Sequence, residues 1–143
     1  MLFLVLLLLA TDPAALLKQG LVALQHGQLA EARSTLEEAS RVDANNPYVW
    51  TSLAETYLRL GDSTKAESAA AKAGKLAEAN PVVAHALGMF YFEDAQMLLR
   101  KEEFTHAADV LDAGLKVEPR NPQLVLALGV ARYGQRRFAD RYS

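Results

Sequence analysis

The side chains best suited to metal or proton chemistry in this sequence are three histidines, His26, His85 and His106. A metal-binding helix sets two histidines one turn apart, as in His-x-x-x-His, so that both rings meet one ion. No two of these three stand at that spacing, and each reads as a surface or helix-end residue. Phosphate chemistry fares no better. The run KAGK at 72–75 has the lysine of a phosphate-cradling loop without its earlier glycine or its hydroxyl residue. No nucleophile elbow is present. The carboxylate pairs Glu37-Glu38 and Glu102-Glu103 are sequence neighbours, which diverge on a helix and do not act together. With no cysteine, thiolate nucleophiles, thiolate metal sites and disulfides are excluded. Arg132, Arg136, Arg137 and Arg141 form a basic group that could touch an acidic partner, but read first as surface charge. The sequence therefore points away from an enzyme and calls for no metal and no cofactor.

What remains is binding, and its elements follow from composition and period. The chain has 143 residues, about half apolar and 22% charged, which suits one domain with a modest core. A net charge of −2 gives no reason to expect nucleic acid. The start, MLFLVLLLLA, is apolar throughout but shorter than the roughly 20 residues of a spanning helix. Residues 1–12 read as a candidate signal peptide, although no Lys or Arg precedes the apolar run. Cleavage would make the protein exported, periplasmic or secreted. A retained segment would leave it cytoplasmic, with the apolar helix packed on the domain or serving as a weak membrane tether.

Four prolines, Pro13, Pro47, Pro81 and Pro122, are spaced 34, 34 and 41 residues apart. Each follows Asp12, Asn46, Asn80 or Asn121, a residue whose side chain accepts from a free first-turn N–H. Proline suits the next position, where its missing N–H has no partner anyway. The dipeptide thus starts a helix four times. Gly27 and Gly61 then read as stop signals before a second helix, which carries Leu29, Ala32, Leu36 and Ala39 in one unit and Ala66, Ala70 and Ala73 in the next. Each unit is a helix, a turn and a helix, and neither helix buries its apolar face alone, so stacked pairs share a core.

The motif Trp50-x2-Leu53-Ala54-x2-Tyr57 followed by Ala66, at a period of 34, resembles the tetratricopeptide repeat. Leu16, Gly20, Ala23, Ala32, Leu36 and Ala39 repeat it more weakly, with Gln19 in a position where the family favours Leu. Leu87-Gly88, Tyr91, Phe104, Ala107, Leu111 and Pro119 give a third copy, and Val125, Leu128, Gly129 and Phe138 a fourth. The resemblance covers about residues 13–140 and implies an all-α fold: a right-handed superhelical array of antiparallel helix pairs, an α-solenoid of about three and a half repeats. The units are 13–46, 47–80, 81–121 and an incomplete 122–143.

The seven extra residues of the third unit fall in its first helix, within FEDAQMLLRKEEF, a run free of Gly and Pro. Seven residues are almost two turns and return a side chain to within about 20° of its direction. One helix from about Pro81 to about Lys101 is expected, whether the unit is an extended one or a remnant at 81–87 followed by a true repeat at 88–121. In the fourth unit RRFADRYS barely begins a second helix, so that Leu124, Val125 and Leu128 stay partly uncovered. The chain is then a fragment, or that edge meets another molecule.

In the resembling family the first helices line a concave groove that meets a peptide or helix of a partner. Its positions carry over to Leu17, Leu21, Leu24 and Gln25, and to Tyr48, Thr51, Glu55, Leu58 and Arg59. In the third unit they are Met89, Phe92, Gln96, Leu99 and Arg100, and in the fourth Gln123, Leu126, Val130 and Tyr133. Some members clamp a terminal carboxylate with Lys and Asn, but those sites hold Leu21, Glu55 and Gln96 here. The expected partner is an apolar or amphipathic segment whose carboxylates meet Arg59 and Arg100. The rival reading is a self-association module pairing fourth units in a homo-oligomer. Trp50, Leu53 and Tyr57 are assigned to packing, and truncating a Trp50 buried between helices would cost about 3–5 kcal/mol.

Overall fold

The computed structural model describes residues 12–143, so the candidate signal segment lies almost wholly outside the described residues. The described chain holds α1 (Pro13–Gln25), α2 (Leu29–Val42), α3 (Pro47–Arg59), α4 (Ser63–Leu76), α5 (Pro81–Arg100), α6 (Phe104–Val117) and α7 (Pro122–Tyr142), and no strand. All four expected starts hold. Asp12, Asn46, Asn80 and Asn121 are the N-caps of α1, α3, α5 and α7, each followed by proline. Their side chains accept from the N–H groups of Ala14, Tyr48, Val82 and Gln123 at 2.9–3.1 Å.

The turns inside each helix pair share one bond pattern. Gly27 and Gly61 adopt φ of +71° and +83°, and their N–H groups donate to Leu24 and Leu58. In the third turn Glu102 takes this left-handed place at φ +59°, its N–H donating to Leu99. Glycine enters that region without a Cβ clash and glutamate does not.

The described chain folds as two compact units, residues 12–78 and 79–143. In the first, α1 packs on α2 and α4 on α3, and α3 also meets α1 and α2. Its interior joins Leu16, Leu36, Val49 and Leu53 to a row of alanines, Ala66, Ala69, Ala70 and Ala73, which lets α4 lie close. Trp50 is only half-buried. Its indole N–H donates to the Ala44 carbonyl at 2.7 Å and the Lys72 ammonium lies 4.4 Å above the ring. Trp50 thus clamps the α2–α3 connection instead of filling the interior, and its truncation costs less than the interior value. Tyr57 ties α3 to α2 through a 2.8 Å hydrogen bond to Glu37.

In the second unit α6 packs between α5 and α7, and α7 also touches α5. The long third helix is present as expected, in 20 residues against 13 in α1 and α3. Residues 95–100 stand before their turn as 54–59 stand before theirs. Without residues 88–94, α5 would read PVVAHALAQMLLR beside PYVWTSLAETYLR in α3. The extra residues are therefore best placed at Gly88–Asp94, starting before the run the sequence suggested. The fourth unit also departs from expectation: α7 is one helix of 21 residues, and no second helix begins at Arg136. Gly134 lies inside it, where Phe104 packs in the place that a Cβ would take. Leu124 is fully buried, whereas Val125 is exposed.

Two connections carry the same clasp. Asn46 donates to the Asp43 carboxylate at 3.0 Å, and Asn121 to the Glu118 carboxylate at 2.7 Å. At the corresponding place before Asn80 stands Ala77, and Ala79 adopts φ +67°.

Candidate functional site

The groove positions of the first unit lie on α1 and α3. Leu21, Gln25, Tyr48 and Arg59 are exposed, and Leu17, Thr51 and Glu55 are partly so. Leu24 and Leu58, each 4% exposed, are packed inside the unit and offer a partner nothing. Their carbonyls accept from the turn glycines. Arg59 is already engaged. It pairs with Glu55 at 2.6 Å and donates to the Leu24 carbonyl at 3.3 Å, tying α3 to the end of α1. A partner carboxylate at Arg59 would have to compete with both. Thr51 donates to the Pro47 carbonyl at 2.7 Å. Beside Leu17 and Leu21 a cleft of about 470 Å³ runs to Asp43 and Asn46, two residues that the groove positions did not include.

In the second unit the positions lie on α5 and α7. Met89, Gln96 and Arg100 are exposed, and Phe92 and Leu99 are half-buried. The Arg100 Nε donates to the Gln96 carbonyl at 3.2 Å. On α7 Gln123, Leu126, Val130 and Tyr133 are all exposed, Leu126 to 72%. The last three are spaced by four and three residues and share one helix face. Sequence reasoning missed what continues that face. Arg137 donates to the Tyr133 hydroxyl at 3.3 Å, with its guanidinium 5.9 Å from the ring centre. A cleft of about 340 Å³ opens between these residues, Phe104, Phe138 and Arg141. The signal was the stripe Leu124, Ala127, Ala131, Gly134, Phe138, at helical spacing through a run taken for surface charge.

Tyr57 and Glu118 titrate away from their ordinary ranges. The Tyr57 phenol is pushed up to about 12 by burial, and then by its hydrogen bond to Glu37 and that carboxylate's charge. For Glu118 burial alone would raise the carboxyl, but hydrogen bonds from Asn121 and His85 outweigh it and hold the group below its ordinary range. The His85 Nδ1 lies 3.0 Å from that carboxylate. Among the described residues no group of three or more His, Asp or Glu side chains could hold a metal ion. Among them, too, no helix is long and apolar enough to cross a membrane.

These helix pairs match known proteins. A family model described as tetratricopeptide repeat matches residues 17–81 and 92–140, more than half of the chain. The chain belongs to the tetratricopeptide repeat family. Solved structures agree on the fold. The tetratricopeptide domain of Arabidopsis OM64 is 21% identical with a TM-score of 0.63, over 85% of this chain and 94% of that one. The first tetratricopeptide domain of Spaghetti (RPAP3), solved with an HSP90 peptide, is 23% identical with a TM-score of 0.60, over 91% and 98%. No curated protein sequence matches significantly. The all-α tetratricopeptide fold is thus established from three directions: the repeat in the sequence, the helix pairs, and the solved domains.

Proposed function

We propose that this chain is a non-catalytic scaffold that holds a peptide or helical segment of another protein on the first helices of its repeats. The observation that carries this reading is the row Leu126, Val130 and Tyr133, three large apolar side chains held out to solvent on one face of α7. Leu21 and Met89 are comparably exposed on α1 and α5. Tetratricopeptide membership supports it, as does a solved relative of the same fold that is bound to a peptide, SRMEEVD. That relative's ligand is not carried over, because Leu21, Glu55 and Gln96 stand at the clamp sites. A second reading, homo-oligomerisation through α7, is favoured by the same exposed row.

The test is a display library of amphipathic peptides selected on the full chain. Binders should weaken about tenfold or more on Leu126→Ser with Val130→Ser, or on Leu21→Ser. Binders indifferent to all three substitutions would remove these faces from the reading. Sedimentation showing dimers abolished by Leu126→Ser would favour the second.

A further inference from the structure

The buried stripe of α7, Leu124, Ala127, Ala131 and Gly134, continues in phase as Phe138 and Tyr142, yet these two rings are 51% and 69% exposed. The reason is length. Phe104, the first residue of α6, packs at Gly134, and residues 136–143 beyond it are all exposed. The two rings instead lie against each other, centroids 4.6 Å apart. Phe104, Val130, Tyr133 and Phe138 wall the cleft of about 340 Å³, with Arg137 and Arg141 on one side and Glu102 on the other. That volume lies at the small end of binding clefts, room for a bulky side chain or two.

Charge selects the occupant. In α7 four arginines stand against one aspartate, in a chain whose net charge is −2. Two copies meeting through this end would set arginine against arginine, which opposes self-pairing. An acidic segment is attracted instead, and a helix suits a face whose side chains recur at three and four residues. Glu102 fixes the orientation, since it repels carboxylates from the α5–α6 turn and leaves them to the arginines of α7.

We propose that the projecting end of α7 and the α5–α6 turn form a slot for an acidic amphipathic helix of another protein. One large apolar side chain of that helix enters between Phe104 and Phe138, and its carboxylates pair with Arg137 and Arg141. The proposal rests on the scaffold reading but concerns a slot at the end of α7, which shares only Val130 and Tyr133 with the groove positions.

The test titrates the full chain against three labelled synthetic helices by fluorescence anisotropy: one with Phe flanked by Glu a turn away, one with each Glu made Lys, and one with Phe made Ser. The acidic Phe helix should bind best, and lose about tenfold or more on Arg137→Glu with Arg141→Glu and on Phe138→Ser. The charge-reversed protein should in turn prefer the Lys helix, a gain that an unfolded variant cannot give. Equal binding of acidic and basic helices, or indifference to the reversal, would overturn the slot. So would dimers abolished by Phe138→Ser, or equal charge-dependent binding to anionic vesicles. Should library binders depend on Leu21 and Leu126 but not on Arg137, the scaffold reading stands and the slot falls.

Discussion

Helices α3 and α5 open alike on Asn-Pro and close alike on Leu-Arg, yet α5 is longer by seven residues. The closing turns are the same: Leu58 and Leu99 accept from Gly61 and Glu102, and Tyr57 and Leu98 accept from the next residue along. Length is therefore free to change where rotation is not. Almost two whole turns were added, and the buried stripe passes through them as Leu87, Tyr91, Ala95 and Leu98. The insertion still leaves marks. Phe90 and Tyr91 meet edge to face at 5.2 Å. Asp94, 1% exposed, occupies the place before the turn that Leu53 holds in α3.

The most drastic way to break this comparison is by deletion. Removing residues 88–94 should leave the remaining residues as helical as before, because Leu87, Ala95 and Leu98 then fall where Leu53, Ala54 and Tyr57 fall. Removing only 88–92 turns the stripe by about 140° and should abolish cooperative unfolding of that half. Far-UV circular dichroism with a denaturant titration separates the two outcomes, and equal loss of structure in both would show that phase is not what matters.

A gentler contrast uses the turns. Gly61→Ala forces a Cβ into the left-handed region and should cost about 1 kcal/mol, whereas Glu102→Gly should gain up to about 1 kcal/mol by relieving the same strain. Denaturant midpoints moving in the same direction would refute the equivalence of the turns.

The smallest effect is electrostatic. The Tyr57 proton is held more tightly in the folded chain than in the unfolded one, where the phenol loses it near pH 10. Its contribution is thus whole below about pH 10 and is lost as pH climbs toward about 12. In Tyr57→Phe the fall in melting temperature over that window should be shallower, and an unchanged slope would count against the Glu37 bond.

The helix starts were legible because each needs only two adjacent residues, a cap and a proline, whose roles are local. The long α5 was legible because the period of its apolar positions survives the insertion. Features set by distant neighbours were not. Glu102 in a glycine's place is invisible to propensity, and so is the close approach of Phe104 to Gly134. Leu24 and Leu58 carry the same residue type as Leu21, and only the helices packed around them decide that they are buried. Arg59 was likewise unreadable, since its partners are Glu55 one turn back and a carbonyl 35 residues away in α1.

The side-chain clasps from Asn46 to Asp43 and from Asn121 to Glu118 work as rulers: one more residue between the two partners would part them. Between residues 77 and 80 that particular pair cannot form, because Ala77 ends at a methyl group. A residue inserted between 77 and 80 therefore breaks no bond of this kind, which makes that connection the natural place to graft in a foreign loop.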